Sequence, residues 1–194
     1  ENISTVGSFG LLANYTSIGG NQGKFTYFGY FQKRSSDGYR DGASSDSDAQ
    51  HLGITYAFSP RWKAKAELSR STYTYKIPGP LTDQQFAANP RQATRTRNFY
   101  SPEIFIPALS LEGKLGEHTS LTTTLSGIFG GRSVVSFDAL ANVPDLINPA
   151  TGTYAHRNVD IDDYHSRTAE IRLLHKYKLA KLPAILSVST RYFN

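Results

Sequence analysis

Residues 62–75 read WKAKAELSRSTYTY, and their alternation decides the fold. The even-numbered positions from Trp62 to Leu68 are apolar, whereas the odd-numbered positions between them carry lysine and glutamate. A period of two predicts a β-strand with one apolar face and one polar face. The apolar face is too sparse for the core of a soluble domain, and the other face carries full charges in mid-strand. This combination favours a strand that separates lipid from water.

The same alternation recurs along the chain and predicts about eight strands. They cover residues 3–16, 24–34, 50–58, 62–75, 102–115, 119–132, 164–178 and 184–193. Turns of roughly 3–5 residues alternate with polar loops of roughly 15–30 residues, such as residues 35–49, 76–101 and 133–163. Pro107 predicts a bulge or a strand end, because proline cannot donate to the ladder. Loops this long are uncommon in compact soluble domains but are expected on the extracellular rim of an outer-membrane barrel, opposite short periplasmic turns.

Composition narrows the class of protein further. No window approaches the roughly 18 consecutive apolar residues of a membrane helix, whereas a membrane β-strand needs only about 9–11 alternating residues. The 194 residues include no cysteine, which excludes disulfides, thiolate metal sites and cysteine nucleophiles. They include no methionine either, so we expect that Glu1 is not the natural start and that any signal peptide lies outside this sequence. Aromatic residues, with 12 tyrosines and 11 phenylalanines, cluster near strand ends as in a membrane girdle.

Several segments carry a more specific signal than the strands do. They are GSFG at residues 7–10, GGNQGKFTYFGYFQKRSSDGYRDG at 19–42, PGPLTDQQFAANPRQATRTRNFYSP at 78–102, RSVVSF at 132–137 and YAHRNVDIDDYHSRTAEIRL at 154–173. In these segments the chain resembles TonB-dependent outer-membrane receptors, in particular the ferric-citrate branch found in Bacteroidetes-type bacteria. The resemblance covers most of the chain.

The resemblance implies an all-β fold, namely an antiparallel transmembrane barrel segment of about eight strands out of about 22. Residues 1–194 would be part of the barrel domain, and the plug and the remaining strands find no counterpart here. Implied partners are outer-membrane lipid and lipopolysaccharide, the rest of the barrel and its plug, the TonB complex and a ferric chelate such as ferric citrate or another siderophore. The expected location is the bacterial outer membrane, and no cofactor is expected.

Basic residues in and near the loops are the candidate ligand contacts. An anionic ferric chelate needs cations that hold carboxylates in two-point geometry, which guanidinium supplies and ammonium does not. The candidates are Arg91, Arg95, Arg97, Arg132 and Arg157. Solvated loop charges, lipopolysaccharide contacts and pairing with nearby aspartates are the alternatives for each of them.

Other chemistries find little support. The acidic residues Asp46, Asp48, Asp160, Asp162 and Asp163 lack the glycine and distal glutamate of an EF-hand loop and are interpreted as surface acids. The five histidines show no paired ligand spacing, so no metal site is predicted. No GxSxG motif or other catalytic signature is present, and the protein is not expected to be an enzyme.

Three alternatives remain at this point. The net charge of +5 and the pI near 9.4 could indicate nucleic-acid binding, but basic residues alternate with acids along the strands and no RNA-binding signature appears. The chain could instead belong to a TonB-dependent importer of another nutrient, such as an oligosaccharide. It could also be a small standalone eight-stranded barrel with a structural or adhesive role.

Overall fold

A computed structural model describes all residues from Glu1 to Asn194 and shows one antiparallel sheet of nine strands in sequence order. The strands are β1 (Asn2–Gly7), β2 (Leu11–Gln22), β3 (Phe25–Ser36), β4 (Ser45–Ser59), β5 (Trp62–Lys76), β6 (Phe99–Lys114), β7 (Thr119–Ser136), β8 (Asn158–Leu179) and β9 (Leu182–Phe193). One short helix, α1 (Asp83–Ala88), lies between β5 and β6. β1 and β9 form the two open edges of the sheet. The predicted all-β architecture is confirmed.

The prediction of eight strands is wrong by one, because the segment 3–16 is a hairpin. β1 and β2 are joined by a tight turn at residues 8–10, where Phe9 and Gly10 both adopt positive φ. The alternation of apolar and polar residue types continues through this turn. Gly10 is therefore the only residue in the sequence that indicates the turn. The predicted turn at 19–23 also shrinks to Gly23 and Lys24, since the two glycines before it belong to β2.

Most strands are longer than predicted, so the loops are shorter. β8 has 22 residues, and the last long loop spans only residues 137–157. Residues predicted as loop, including Asp46 and Asp48, begin β4. Pro107 makes neither a bulge nor an end: the β6–β7 register is the same on both sides of it, although Pro107 itself has no ladder partner on β7. The predicted loop 76–101 contains α1.

In β4 to β8, register places the two parities of each strand on two chemically different sides of the sheet. One row across neighbouring strands joins Ile54, Ala66, Leu109, Leu125 and Ala169. The adjacent row joins Thr55, Lys65, Ser110, Thr124 and Glu170. We call the side containing Leu125 the apolar face and the side containing Thr124 the polar face. The alternation seen in residues 62–75 therefore extends across β4 to β8.

The two ends of the sheet also differ. At the tight-turn end, short connections follow Gln22, Ser59, Lys114 and Leu179. There the apolar face carries aromatic residues, with the Tyr56 ring centroid 4.6 Å from that of Phe25 and 5.1 Å from that of Phe58. At the other end, which we call the long-loop end, residues 37–44, 77–98 and 137–157 connect the strands.

The sheet has no core of its own. No hydrophobic residue is classed as buried, and apolar-face residues such as Leu109 and Leu125 are 52% and 51% exposed. None of the helical structure is long or apolar enough to cross a bilayer. Exposed apolar surface is unfavourable in water, so this face requires an apolar surrounding.

A charged side chain should therefore lower the stability of the sheet more on the apolar face than on the polar face. Leu125→Arg, in the middle of the apolar face, is expected to lower the free energy of unfolding by about 2–4 kcal/mol in lipid. Ser126→Arg, one residue away on the polar face, is the matched control and should cost less than about 1 kcal/mol. The measurement is denaturant unfolding of the natural polypeptide in phospholipid vesicles. Equal losses for the two variants would contradict the assignment of the faces.

Candidate functional site

Three loops pack together at the long-loop end and form what we call the loop cap, residues 37–44, 77–98 and 137–157. Arg40 in the first loop donates to the carbonyls of Gly79 at 2.6 Å and Gln92 at 2.8 Å in the second. The backbone N–H of Asp41 donates to the carbonyl of Arg91 at 2.7 Å. The first two loops are thus joined mainly through main-chain carbonyls.

Helix α1 fixes the middle of the second loop. Thr82 is its N-cap and forms a capping box with Gln85, since each side chain bonds the backbone N–H of the other residue. This arrangement satisfies two N–H groups that the first turn of a helix leaves without partners. The Gln85 amide also reaches the carbonyl of Ala141 in the third loop, at 3.4 Å.

Arg95 joins the second and third loops and is 1% exposed, the most buried large side chain of the chain. Its guanidinium donates to carbonyls of Phe137 at 3.2 Å, Ala139 at 2.9 Å, Leu140 at 3.1 Å and Val143 at 3.1 Å. The Arg95 guanidinium also lies 4.8 Å from the centre of the Phe137 ring. All three of its nitrogens are engaged by the chain itself, so Arg95 acts as an internal clamp on the third loop.

Arg91 and Arg157 are also engaged within the cap. The Arg91 Nε donates to the carbonyl of Tyr39 at 3.0 Å, and its guanidinium lies 5.4 Å from the Phe9 ring centre. Arg157 forms an ion pair with Asp145 at 2.8 Å, and both side chains are largely shielded from solvent, being 11% and 2% exposed. The Arg157–Asp145 pair matches the alternative in which loop arginines pair with nearby aspartates, whereas Arg91 contacts a main-chain carbonyl and aromatic rings.

The guanidinium groups of Arg97 and Arg132 remain accessible to solvent. Arg97 is exposed and its guanidinium lies 4.3 Å from the centre of the Tyr154 ring, with no carboxylate partner. Arg132 is not in the cap but on the polar face of β7, where it pairs with Asp162 of β8 and remains 39% exposed. The structure therefore brings Arg95, Arg97 and Arg157 together around Phe137 and Tyr154, and separates Arg91 and Arg132 from them.

A group of tyrosines just below the cap was missed by the sequence reasoning. Tyr73, Tyr75 and Tyr100 have ring centres 5.4–6.1 Å apart on the polar face. Tyr75 is the register partner of Tyr100, and Arg132 lies in the row next to them. The alternation Tyr73-Thr74-Tyr75 places two rings on one face, but the third ring comes from another strand, which only register reveals.

The arrangement at the long-loop end supports binding. No group of three or more carboxylate or histidine side chains is arranged to hold a metal ion. Asp46 and Asp48, considered above as surface acids, lie 3.7 and 3.6 Å from the Lys33 ammonium. The open guanidinium groups and phenols at this end offer hydrogen-bond donors and aromatic surface to a ligand.

The clamp role of Arg95 can be tested by substitution. Arg95→Ala would leave several main-chain carbonyls without their donors and should lower the local opening free energy of residues 137–143 by about 3 kcal/mol. Arg95→Lys should rescue little, because one ammonium cannot reach the separate carbonyls to which the three guanidinium nitrogens donate in their common plane. Hydrogen exchange of residues 137–143 measures the effect, and Arg97→Ala, which removes an exposed guanidinium, is the control. Unchanged exchange in Arg95→Ala would contradict the clamp.

No family model and no curated protein matches this chain by sequence. Solved structures match its fold. The ferric citrate transporter FecA in its unliganded form superimposes with a TM-score of 0.81 at 14% identity over 99% of this chain. The siderophore receptor PiuA from Acinetobacter baumannii gives 0.77 at 17% identity over 98%, and P. aeruginosa FpvA bound to pyoverdines gives 0.64 at 11% over 96%.

This chain spans 27%, 29% and 26% of the lengths of those three structures. At these identities the likeness concerns the fold, and the resemblance to the Bacteroidetes branch stays a prediction. The resemblance to TonB-dependent receptors is confirmed at that level: the nine-stranded sheet has the fold of a barrel segment of outer-membrane siderophore and ferric-citrate receptors.

Proposed function

We propose that this chain is part of the barrel wall of a TonB-dependent outer-membrane receptor that takes up a ferric chelate. The observation that carries the proposal is the two-faced sheet, which superimposes over 99% of its length on the ferric citrate transporter FecA. Every strand except the six-residue β1 is long enough to cross the roughly 25 Å apolar band of such a membrane, for which about 9–11 residues suffice. The function is transport, and no residue needs to make or break a covalent bond.

The proposal also orients the two faces and the two ends of the sheet relative to the membrane. The apolar face meets lipid, and the polar face meets the lumen, where ion pairs such as Lys63–Glu112 at 3.0 Å are hydrated. The tight-turn end lies in the periplasm, with Trp62 and Phe58 in the aromatic girdle. The long-loop end lies outside the cell, so the loop cap is the part that first meets a ligand.

The partners follow from the same proposal. The rest of the barrel, a plug in its lumen and the TonB complex that remodels the plug would lie outside residues 1–194, and lipopolysaccharide would surround the outer rim. Because β1 and β9 are unpaired edges, the sheet requires further strands to close. This observation disfavours the small standalone barrel.

Among the predicted arginines, Arg97 and Arg132 are the proposed ligand contacts. A ferric chelate of citrate presents carboxylates, which guanidinium groups bind in two-point geometry. Arg97 stands exposed on Tyr154, and Arg132 keeps an open side although it pairs with Asp162. Arg91, Arg95 and Arg157 support the cap, so their proposed contribution to ligand binding is through its shape.

Binding of radiolabelled iron chelates to outer membranes that contain the natural polypeptide tests the proposal. We expect saturable binding of ferric citrate or a ferric siderophore to these membranes. In whole cells that contain the same polypeptide, uptake should stop when the inner-membrane proton gradient is collapsed. Arg97→Ala should weaken the binding of an anionic chelate about tenfold, the effect expected for losing one charge-assisted contact.

Arg61→Ala provides the matched control, because Arg61 is equally exposed but lies in the turn between β4 and β5 at the opposite end. It should leave binding unchanged. Failure to bind any ferric chelate would overturn the proposed function, and capture of an oligosaccharide instead would identify an importer of another nutrient.

A further inference from the structure

Charged residues are distributed unequally between the two ends of the sheet. In the loop cap, five basic residues are balanced by five acidic residues. The tight-turn end, which comprises residues 23–24, 60–61, 114–118 and 176–181, contains six basic residues and only one acidic residue, Glu117. We define the basic rim as these six residues: Lys24, Arg61, Lys114, Lys176, Lys178 and Lys181.

The basic rim has no counter-charge within the chain. All six residues are exposed, and none of them takes part in an ion pair. The ion pair nearest to this end joins Lys63 and Glu112 on the polar face. Lys24 alone has a side-chain hydrogen bond, since its ammonium donates to the carbonyl of Phe58 at 3.1 Å. Like charges gathered in this way repel one another, so the rim favours an anionic partner.

Aromatic residues of the apolar face adjoin the rim at three of the four tight turns. The adjoining pairs are Lys24–Phe25, Arg61–Trp62 and Tyr177–Lys178. Tryptophan and tyrosine combine an apolar body with a polar tip and favour the boundary between hydrocarbon and water. Lysine and arginine beside such rings can bury their apolar stems and extend their charges to the headgroup level.

Trp62 fixes the level of this boundary on β5. Its ring covers Gly113, its register partner on β6, and leaves no room for a Cβ at that position. The carbonyl of the adjacent Arg61 accepts the backbone N–H of Lys114 at 2.9 Å, which joins two residues of the rim through the main chain. The sheet therefore holds these two cations next to the ring that meets hydrocarbon.

This placement favours a lipid headgroup over a soluble anion. The phosphate of an anionic phospholipid lies at the boundary where the rings lie, and its acyl chains contact the apolar face. Arg61 and Lys181 lie in turns, and Lys178 is the penultimate residue of β8, so their long side chains can reach this boundary. A soluble anion would gain only the Coulomb attraction, which salt screens.

We propose that the basic rim binds the phosphate headgroups of anionic phospholipids, such as phosphatidylglycerol, in the leaflet that surrounds the tight-turn end. The inference rests on the membrane location given under the proposed function and is independent of the transported ligand. The balanced charges of the loop cap give the other end of the sheet no such preference.

The fluorescence of Trp62 can report the lipid around the rim, because bromine on an acyl chain quenches an indole that it contacts. The natural polypeptide that contains residues 1–194 is placed in vesicles of phosphatidylglycerol and phosphatidylcholine, with bromine on one lipid and then on the other. The Trp62→Phe variant, measured in parallel, isolates the Trp62 signal. We expect phosphatidylglycerol to be enriched at Trp62 at least about fivefold at low salt, and less in high salt.

Arg61→Gln combined with Lys178→Gln and Lys181→Gln should abolish the enrichment, because it removes three charges from the rim. Arg61→Lys combined with Lys178→Arg and Lys181→Arg keeps the charges and should retain the enrichment. The matched control is Lys63→Gln combined with Lys65→Gln and Arg172→Gln, which removes three charges from ion pairs on the polar face. This control should also retain the enrichment.

Absence of enrichment around the unsubstituted protein, as expected if an acidic protein segment covers the rim, would overturn the inference. Equal losses in the rim variant and in the matched control would overturn it too, since net charge alone would then explain the effect. If the protein enriches phosphatidylglycerol and binds no ferric chelate, the proposed function fails and this inference stands. Chelate binding without enrichment has the opposite meaning.

Discussion

The fold depends on one constraint: where a surface requires an apolar surrounding, the main chain must satisfy its own hydrogen bonds. Of 127 backbone–backbone hydrogen bonds, 103 lie within helices and strands. Since the sheet has no buried hydrophobic core, this ladder and the medium on its apolar face hold the strands in place. Register then decides which side chains share a face, because it sends each one to the apolar or to the polar side of the sheet.

The loops meet the same need by other means. Loop residues have no ladder, so their carbonyls require donors from elsewhere. Arginine offers five N–H donors in a rigid plane, and Arg95 and Arg40 use them to hold main-chain oxygens of neighbouring loops. This explains why a basic sequence segment, which is suggestive of an anion site, is largely structural. The guanidinium groups that remain accessible are those that do not donate to loop carbonyls.

Sequence alone predicts the strand parity well and the boundaries unevenly. β5 is placed within one residue, because its alternation is clean and Ser59-Pro60-Arg61 interrupts it on one side. The first hairpin was missed because its turn preserves the parity of the flanking strands. Polar strand ends such as Ser45–Asp48 resemble a loop in the sequence. Beyond the apolar band, neither face of a strand needs to be hydrophobic. The site was predicted least well: the carbonyl partners of Arg95 are 42–48 residues away, and Tyr75 meets Tyr100 only through register.

The strictly sequential strand order has a consequence for how such a wall can change. Each strand contacts only its neighbours in the chain, so the sheet is built as a quasi-one-dimensional series of hairpins. A hairpin inserted or lost would leave the pairing of all others intact, provided that parity is kept. Barrel circumference is thus free to evolve by duplication of hairpins, while the loop carried by each new pair diversifies independently.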